Sequence, residues 1–463
     1  MIKFIFTLYF LQAVLFLHAQ PNKVRYWLTL PNQSALLQEK ETTLHKGDFN
    51  TSLPLLRINQ KKRYQVMDGY GFTLTGGSAQ LMNSLDPERK KQLLVELFGR
   101  EKTSLGISYL RVAVGASDLS RRVFSYLDLP DGQTDTALLQ FNLSDDTLHL
   151  IPLLRKIKLI QPSIKIMATP WSPPVWMKSN NSSIGGRLKP EYYHVYAKYL
   201  VRYIHTMSKL GITIDALTIQ NEPEHGGNNP SMLMSAEEQA LFIKNHLGPL
   251  FYQQQIKTKI IVYDHNADHP EYPIKVMNDS IARKYIDGAA FHLYAGDVNA
   301  LNKVKQAHPD KNLYFTEQWT GMKGDFGGDL QWHIKHIIIG SALNHSKIAL
   351  EWNLANDEAF GPHTPGGCTE CKGALTISDN RITRNVSYYI IAHAAKWVVP
   401  GSVRIATSQI EGLPAVSFLT PDNKIVSIVL NETASEKSFQ VQLGNKWFQL
   451  QLAAGAVATF QIQ

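Results

Sequence analysis

Two glutamates lie at matching points of the sequence, each after a short apolar segment. Glu222 lies in IDALTIQNEPE and Glu317 lies in NLYFTEQW. If both segments are strands of one parallel β/α barrel, both side chains lie at the carboxyl ends of strands, where barrel enzymes hold their catalytic residues. Two carboxyl groups in this position can cleave a glycosidic bond, one as acid/base and the other as nucleophile.

The elements that would position these glutamates recur through the middle of the chain. Apolar segments that end in polar or aromatic residues alternate with amphipathic helical patterns, which predicts a parallel sheet covered on one side. Eight such segments fit a closed (β/α)8 TIM barrel, an α/β fold. The predicted strands are Gly69–Gly76, Ile107–Gly115, Lys165–Ser172, Ile214–Pro223, Lys259–Ala267, Ile286–Tyr294, Asn312–Trp319 and Lys347–Ala355.

Three of the intervening helices carry clear end signals. Pro87–Phe98 follows Asp86 at the N-cap position and precedes Gly99. A longer helix is predicted over Pro190–Leu210. Ser235–Leu247 opens with serine followed three residues later by glutamate, which is a capping box.

The 463 residues divide by composition into four parts. Residues 1–19 contain a lysine, an apolar run and a small residue at the end, the pattern of a cleaved signal peptide. Residues 20–62 and 396–463 are rich in short β patterns, and we expect them to form one antiparallel β-sandwich built from both termini. Residues 63–395 hold the barrel.

Export to the periplasm or the extracellular space follows from the signal peptide, and no later segment is apolar enough to span a membrane. Cys368 and Cys371 form a Cys-x-x-Cys pair. In an exported protein a loop disulfide is the favoured interpretation, and a reduced pair is the alternative. Two thiols without a neighbouring histidine pair do not complete a zinc site.

The net charge of +8 raises the question of an anionic partner. The basic residues are scattered, with short clusters at 61–63 and 90–91, and no basic stripe is interleaved with aromatic residues. The pattern indicates a solvated basic surface and argues against a nucleic-acid partner. The loop Asp264–His269 contains metal-ligand types, but polar contacts within the loop are favoured, and we predict neither a metal nor a cofactor.

Further polar residues at strand ends complete the candidate site. Asn221 precedes the first glutamate and can donate to a sugar hydroxyl, and Tyr294 can donate to Glu317. Arg111 can hold the nucleophile ionised, and Asp118 can bind sugar hydroxyls; a structural ion pair is the alternative for these two.

Aromatic residues at strand ends offer flat faces for sugar rings. Trp171, Trp319 and Trp352 occupy such positions. The competing carboxylate Glu351 is adjacent to Trp352, so strand alternation places it on the opposite face, away from a pocket that contains the tryptophan.

The sequence resembles glycoside hydrolase family 30 across nearly its whole mature length. The resemblance rests on GYGFTLTGGSA, YLRVAVGASD, TPWSPPVWMKSN, TIQNEPE, AFHLY, TEQ and EWNLA, which occur in the family's order. It implies retaining hydrolysis with Glu222 as acid/base and Glu317 as nucleophile. It also implies that six further residues line the subsite for the cleaved sugar: Arg111, Asp118, Trp171, Asn221, Tyr294 and Trp352.

Within that family, HLY on strand six and TEQW on strand seven depart from the lysosomal-type enzyme. The chain looks more similar to the bacterial β-1,6-glucanase branch, which implies an endo-β-1,6-glucan substrate. An exo-acting β-glucosidase or glucosylceramidase is the alternative, a glucuronoxylanase is a weaker one, and a non-catalytic carbohydrate-binding protein is the competing class. Oligomeric state stays open. We also expect a cis peptide bond between Trp352 and Asn353, as barrel glycosidases of this kind often have.

Overall fold

The computed structural model describes residues 23–50 and 52–462, so the predicted signal peptide lies outside the described residues. Its centre is a closed barrel of eight parallel strands, which confirms the predicted fold. In chain order the barrel strands are Gly69–Thr73, Tyr109–Val114, Lys165–Pro170, Ala216–Thr218, Lys259–Ala267, Ile286–Gly296, Asn312–Glu317 and Ser346–Asn353. Strand eight pairs with strand one and closes the barrel.

Helices surround this barrel. The α-helices are Gly76–Ser84, Pro87–Phe98, Ser144–Leu148, Leu150–Ile160, Tyr193–Lys209, Ala236–Phe242, Gly248–Gln253, Glu271–Asn278, Ala300–Ala307, Phe326–His333, Ser341–Leu343 and Val386–Ala395. π-Helical turns lie at Ile243–Leu247 and Ile334–Gly340, and 3₁₀ turns lie at Val175–Met177, Pro190–Tyr192 and Ala282–Lys284. In the part of the chain that the structure describes, no helix is both long enough and apolar enough to cross a membrane.

The helix signals in the sequence act as predicted. The Asp86 side chain accepts from the backbone of Arg89, and Ser235 and Glu238 form a complete capping box. Several element bounds differ from those predicted, two of them markedly. Strand four has ladder bonds only over Ala216–Thr218, because the chain beyond it turns to present Glu222, and the Ser235 helix continues through a π-helical turn to Gln253.

The terminal strands form a ten-stranded sheet folded as a β-sandwich. Its order is Gln38–Thr43, Lys23–Thr29, Val457–Ile462, Ile425–Leu430, Ala415–Leu419, Val403–Thr407, Leu55–Val66, Lys437–Leu443, Lys446–Leu452 and His45–Lys46. Leu55–Val66 runs past position 62 into the region assigned to the barrel. Alternate residues of these strands pack into a separate apolar core that contains Val24, Phe439 and Phe460.

A buried histidine joins the sandwich to the last barrel helix. His393 is fully buried, and its two ring nitrogens lie 2.8 Å from the hydroxyls of Thr29 and Thr459. Burial lowers the pKa of His393 to about 3. The native state therefore excludes a proton that the unfolded chain binds below its ordinary pKa of about 6.5.

We expect this histidine to make the protein sensitive to acid. Because the pKa of His393 is lower in the folded state, its contribution is fully present above about pH 6.5 and declines as the pH falls toward the folded value. The loss between pH 7 and pH 5 should be about 2 kcal/mol. Urea unfolding of the wild type and of His393→Gln at both pH values measures it. If His393→Gln lost as much free energy of unfolding between pH 7 and pH 5 as the wild type does, this account would be wrong.

Candidate active site

A pocket of about 320 Å³ opens at the carboxyl ends of the barrel strands. Five of the residues predicted to bind substrate line it together with both glutamates: Asp118, Trp171, Asn221, Tyr294 and Trp352. The sixth, Arg111, is fully buried and lies beneath them. The remaining lining residues are His225, Asn228, His265, Asn266, Trp319, Cys368 and Cys371.

Glu317 ends strand seven and is held by two donors. One guanidinium nitrogen of Arg111 donates to its Oε2, and the Tyr294 hydroxyl donates to its Oε1 over 2.8 Å, as the sequence predicts. Burial, with a contribution from the charge of Glu222, raises the pKa of Glu317, and the opposing charges of His292 and Arg111 lower it by less. The carboxylate is thus removed from water but faces one permanent cation and a phenol.

Glu222 lies at the exit of strand four in a left-handed backbone conformation, with φ of 44°. Its backbone nitrogen donates to the Asp264 carbonyl over 3.0 Å, which anchors this turn. On the side chain, Oε1 lies 3.1 Å from Nδ1 of His292, and Oε2 lies 3.5 Å from the Asn228 amide nitrogen. Burial raises the pKa of Glu222, and the hydrogen bond and charge of His292 lower it by more.

The distances from His292 to both glutamates set an upper limit on the separation of two of their carboxyl oxygens. Its Nδ1 lies 3.1 Å from Oε1 of Glu222 and 3.9 Å from Oε1 of Glu317. These two oxygens are therefore at most about 7 Å apart, a limit that the carboxyl separation of about 5–5.5 Å in retaining glycosidases satisfies.

A second buried charge, which the sequence interpretation missed, organises the base of the site. Asp264 is fully buried and accepts from Arg111 at 2.8 Å, from Thr218 at 2.8 Å and from Thr316 at 2.6 Å. Burial opposes ionisation, but Arg111 and His292 hold the pKa of Asp264 far below its usual range. The sequence does contain a signal for Asp264, a charged residue at the end of the apolar segment KIIVYD. The polar residues that follow it favour contacts within the loop as the interpretation.

His292 lies between Asp264 and the two glutamates. Its Nε2 lies 3.1 Å from Oδ1 of Asp264, so both ring nitrogens face carboxylates. Burial alone would lower the pKa of His292, but Glu317, Asp264 and Glu222 raise it to about 9. The ring is therefore an imidazolium that donates from both nitrogens at neutral pH.

Asp118 is the other carboxyl group that lines the pocket, and it lies on the side that the loop containing Cys368 and Cys371 closes. Burial, followed by the charges of Glu317 and Glu222, raises the pKa of Asp118 to about 7. The Asp118 carbonyl accepts from the Thr364 backbone over 2.8 Å. Cys368 and Cys371, whose pairing the sequence left open, form a disulfide within this loop.

The aromatic residues pack into one group with the disulfide. Trp171, Trp352 and Cys371 form a buried apolar cluster, against which Trp319 and Cys368 pack. The Arg111 guanidinium carbon lies 4.8 Å from the centre of the Trp171 ring, so the aromatic face also supports the cation.

The backbone of strand eight turns Trp352 into the pocket without the predicted cis bond. The cis bonds of the described residues are Asn229–Pro230 and Gly361–Pro362, so the prediction for Trp352–Asn353 was wrong. A register shift between Glu351 and Asn353 accomplishes the change of direction instead. Glu351 points to the outside of the barrel, where His333 Nδ1 lies 2.7 Å from its carboxylate, in agreement with strand alternation.

Three potential metal ligands meet in the pocket. Glu222, His265 and His292 offer atoms that all lie within 4.8 Å of one another. The His292 ring already donates from both nitrogens to carboxylates, so it has no free lone pair for an ion. Hydrogen bonding therefore accounts for His292, which leaves Glu222 and His265 as two possible ligands.

Two family models cover nearly the whole described chain. Residues 67–398 match the glycosyl hydrolase family 30 TIM-barrel domain, and residues 401–460 match the family 30 β-sandwich domain. The chain belongs to glycoside hydrolase family 30. It is therefore a hydrolase of glycosidic bonds, as its site chemistry predicted.

Similar proteins include endo-1,6-β-D-glucanases and glucosylceramidases. An endo-1,6-β-D-glucanase of Aspergillus fumigatus is 31% identical over 413 residues, covering 83% of this chain and 82% of the relative. The mouse lysosomal acid glucosylceramidase is 28% identical over 410 residues, covering 82% and 78%. A solved endo-β1,6-glucanase is 32% identical with a TM-score of 0.89, covering 95% of this chain and 99% of its own.

Asp264→Asn should remove the negative charge that Arg111 and His292 share in the buried network of this family 30 hydrolase. Arg111 would lose a fully buried counter-charge, and breaking such a pair costs about 3–5 kcal/mol. A neutral amide also stabilises the His292 imidazolium less, so the pKa of His292 should fall below about 9. Thermal unfolding and NMR titration of the imidazole measure the two effects. Asp268→Asn, four residues further along the same loop and exposed, is the control and should change neither.

Proposed function

We propose that this protein is a retaining β-glycosidase that cleaves internal β-1,6 linkages of a β-glucan. The observation that carries the proposal is the pair of strand-end glutamates linked through one histidine nitrogen. Glu317 is the nucleophile and Glu222 is the acid/base in this assignment.

The hydrogen-bond donors around each carboxyl group support this division of roles. Glu317 faces Arg111, whose charge is permanent, and the Tyr294 phenol. Glu222 faces His292 and the more distant Asn228 amide. The two glutamates titrate as a pair, and the pKa of Glu317 is raised while the pKa of Glu222 is lowered. The assignment therefore requires Glu222 to take up a proton before it acts as the acid, while Arg111 and Tyr294 hold the charge of Glu317.

The reaction then follows from these positions. Glu317 attacks the anomeric carbon while Glu222 gives its proton to the departing oxygen, which breaks the glycosidic bond and leaves a glycosyl ester on Glu317. Formation of the ester removes the negative charge of Glu317, and Glu222 is left as a carboxylate after it has given up its proton. Glu222 then takes a proton from water, the water attacks the ester, and the sugar leaves with its original β configuration.

Residues around the pair would hold the sugar. Asn221 accepts from Arg111 through its oxygen at 2.7 Å, which directs its amide nitrogen toward a ligand in the pocket. Asp118, whose pKa is about 7, can donate to and accept from sugar hydroxyls near neutral pH. Trp171 and Trp352 supply apolar faces for the ring.

The β-1,6-glucan assignment is supported by the glucanases among the relatives, and a glucosylceramide substrate is the second candidate because other relatives bear that name. The product profile on linear β-1,6-glucan tests the choice. A ladder of oligosaccharides would support endo cleavage. Glucose alone, or cleavage of glucosylceramide without action on the glucan, would overturn it.

We also propose that the protein acts outside the cytoplasm. The Cys368–Cys371 disulfide supports this location, because disulfides persist in oxidising compartments.

A further inference from the structure

The walls of the pocket divide into two chemically different halves. One half is the apolar cluster of Trp171, Trp352 and the disulfide, with Trp319 packed against it. The other half surrounds Glu222. It consists of His225, Asn228, His265 and Asn266, whose side chains are polar and neither acidic nor aliphatic. We call these four residues the polar half.

Two members of the polar half lie close to the Glu222 carboxyl. Nδ1 of His265 lies 3.9 Å from its Oε1, and the Asn228 amide nitrogen lies 3.5 Å from its Oε2. His225 donates through its backbone to the Glu222 carbonyl at 2.9 Å, so it lies one turn away. A group that receives the proton of Glu222 therefore lies next to His265 and Asn228.

His265 lines the pocket beside Glu222 as an uncharged ring. The residue is only 8% exposed, and its Nδ1 is enclosed by protein without a hydrogen-bond partner among the described residues. Burial lowers the pKa of His265, so the ring is neutral at neutral pH. A neutral imidazole has a second ring nitrogen that can donate or accept, and because Nδ1 is enclosed, Nε2 is the nitrogen left for a ligand hydroxyl.

We propose that the polar half is the binding site for the leaving group, and that it selects a hydroxylated sugar over a lipid. The proposal rests on the assignment of Glu222 as acid, since the acid must contact the departing oxygen. A second glucose unit offers hydroxyls to His265, Asn228 and His225. The alkyl chains of a ceramide would instead cover these polar groups and leave them without hydrogen bonds.

Paired substrates test the proposal. A β-1,6-linked gluco-oligosaccharide fills the leaving-group site, whereas β-glucosyl fluoride releases only fluoride and leaves that site empty. In the double variant His265→Ala/Asn228→Ala, kcat/KM for the oligosaccharide should fall at least about tenfold more than kcat/KM for the fluoride. His265→Gln, which keeps a hydrogen-bonding group, should recover part of the loss relative to His265→Ala. His194→Ala, an exposed histidine on the barrel exterior, is the control.

Equal losses on both substrates in a folded double variant would overturn the proposal, because they would show a general effect on Glu222. A shifted pH profile on the fluoride would overturn it for the same reason. An unchanged ratio with full activity on both substrates would also overturn it.

Acceptor competition separates this proposal from the assignment of β-1,6-glucan. With β-glucosyl fluoride as donor, glucose-containing acceptors should receive the glucosyl group from the wild type in preference to a long-chain alcohol. The double variant should need at least about tenfold more sugar for half-maximal transfer. If the wild type fails to cut β-1,6-glucan but shows this preference, the glucan assignment fails and the leaving-group site stands. Preference for the long-chain alcohol would overturn the leaving-group site itself.

Discussion

Replacing Glu317 by glutamine is expected to lower kcat on β-linked glucosides on the order of 10⁴-fold or more, because no glycosyl ester forms on the amide. The protein should stay folded, since Arg111 keeps its ion pair with Asp264 and its hydrogen bond to Asn221. Initial-rate assays with an aryl β-glucoside and the unfolding temperature measure these two results together.

Glu351→Gln is the matched control for this experiment. It changes a second buried glutamate, on strand eight, whose carboxylate pairs with His333 outside the pocket. Activity should persist in this variant. If Glu317→Gln kept more than a few per cent of activity, or if Glu351→Gln were the inactive variant, the assignment of the nucleophile would be wrong.

Glu222→Ala is expected to slow the cleavage of each substrate by an amount that depends on how much its leaving group needs a proton. On β-1,6-linked oligosaccharides kcat/KM should fall about 10²–10⁴-fold, the usual size of a lost general acid. Dinitrophenyl β-glucoside releases a stable phenolate, so its first step should be nearly unaffected and the glycosyl ester should accumulate. A burst of phenolate followed by a slow steady state is the observation that checks this.

Azide gives the complementary result. In Glu222→Ala it can attack the ester without a base, so it should raise the steady-state rate and yield β-glucosyl azide. Glu224→Ala removes an exposed carboxylate two residues away that pairs with His269, and it should show neither the burst nor the azide product. An α-glucosyl azide from Glu222→Ala would reverse the roles of the two glutamates.

The barrel and the meeting of Glu222 and Glu317 in its pocket could be predicted because each depends on local, repeated patterns. Apolar strands that alternate with capped helices define the barrel. A charged residue at the end of an apolar strand has to lie at the strand exit, and this reasoning places Glu222 and Glu317 in the pocket. Alternation along strand eight likewise separated Trp352, inside, from Glu351, outside.

The buried network beneath the pair could not be predicted in the same way. Asp264, His292 and Arg111 come from strands five, six and two, and their partnership depends on three-dimensional distances that no local pattern encodes. The backbone at Trp352 shows a related limit. A shift in strand register turns the side chain with an ordinary trans bond, and such shifts arise from packing between neighbouring strands.

Covalent trapping tests the central claim most directly. A 2-deoxy-2-fluoro-β-glucoside with a dinitrophenyl leaving group forms the glycosyl ester but releases it slowly, so digestion and mass spectrometry can locate the modified residue. We predict one fluoroglucosyl group per chain, on Glu317, in the segment NLYFTEQW. A label on Asp118 or Glu222, or steady turnover of the unfluorinated glucoside without any trapped ester, would contradict the account.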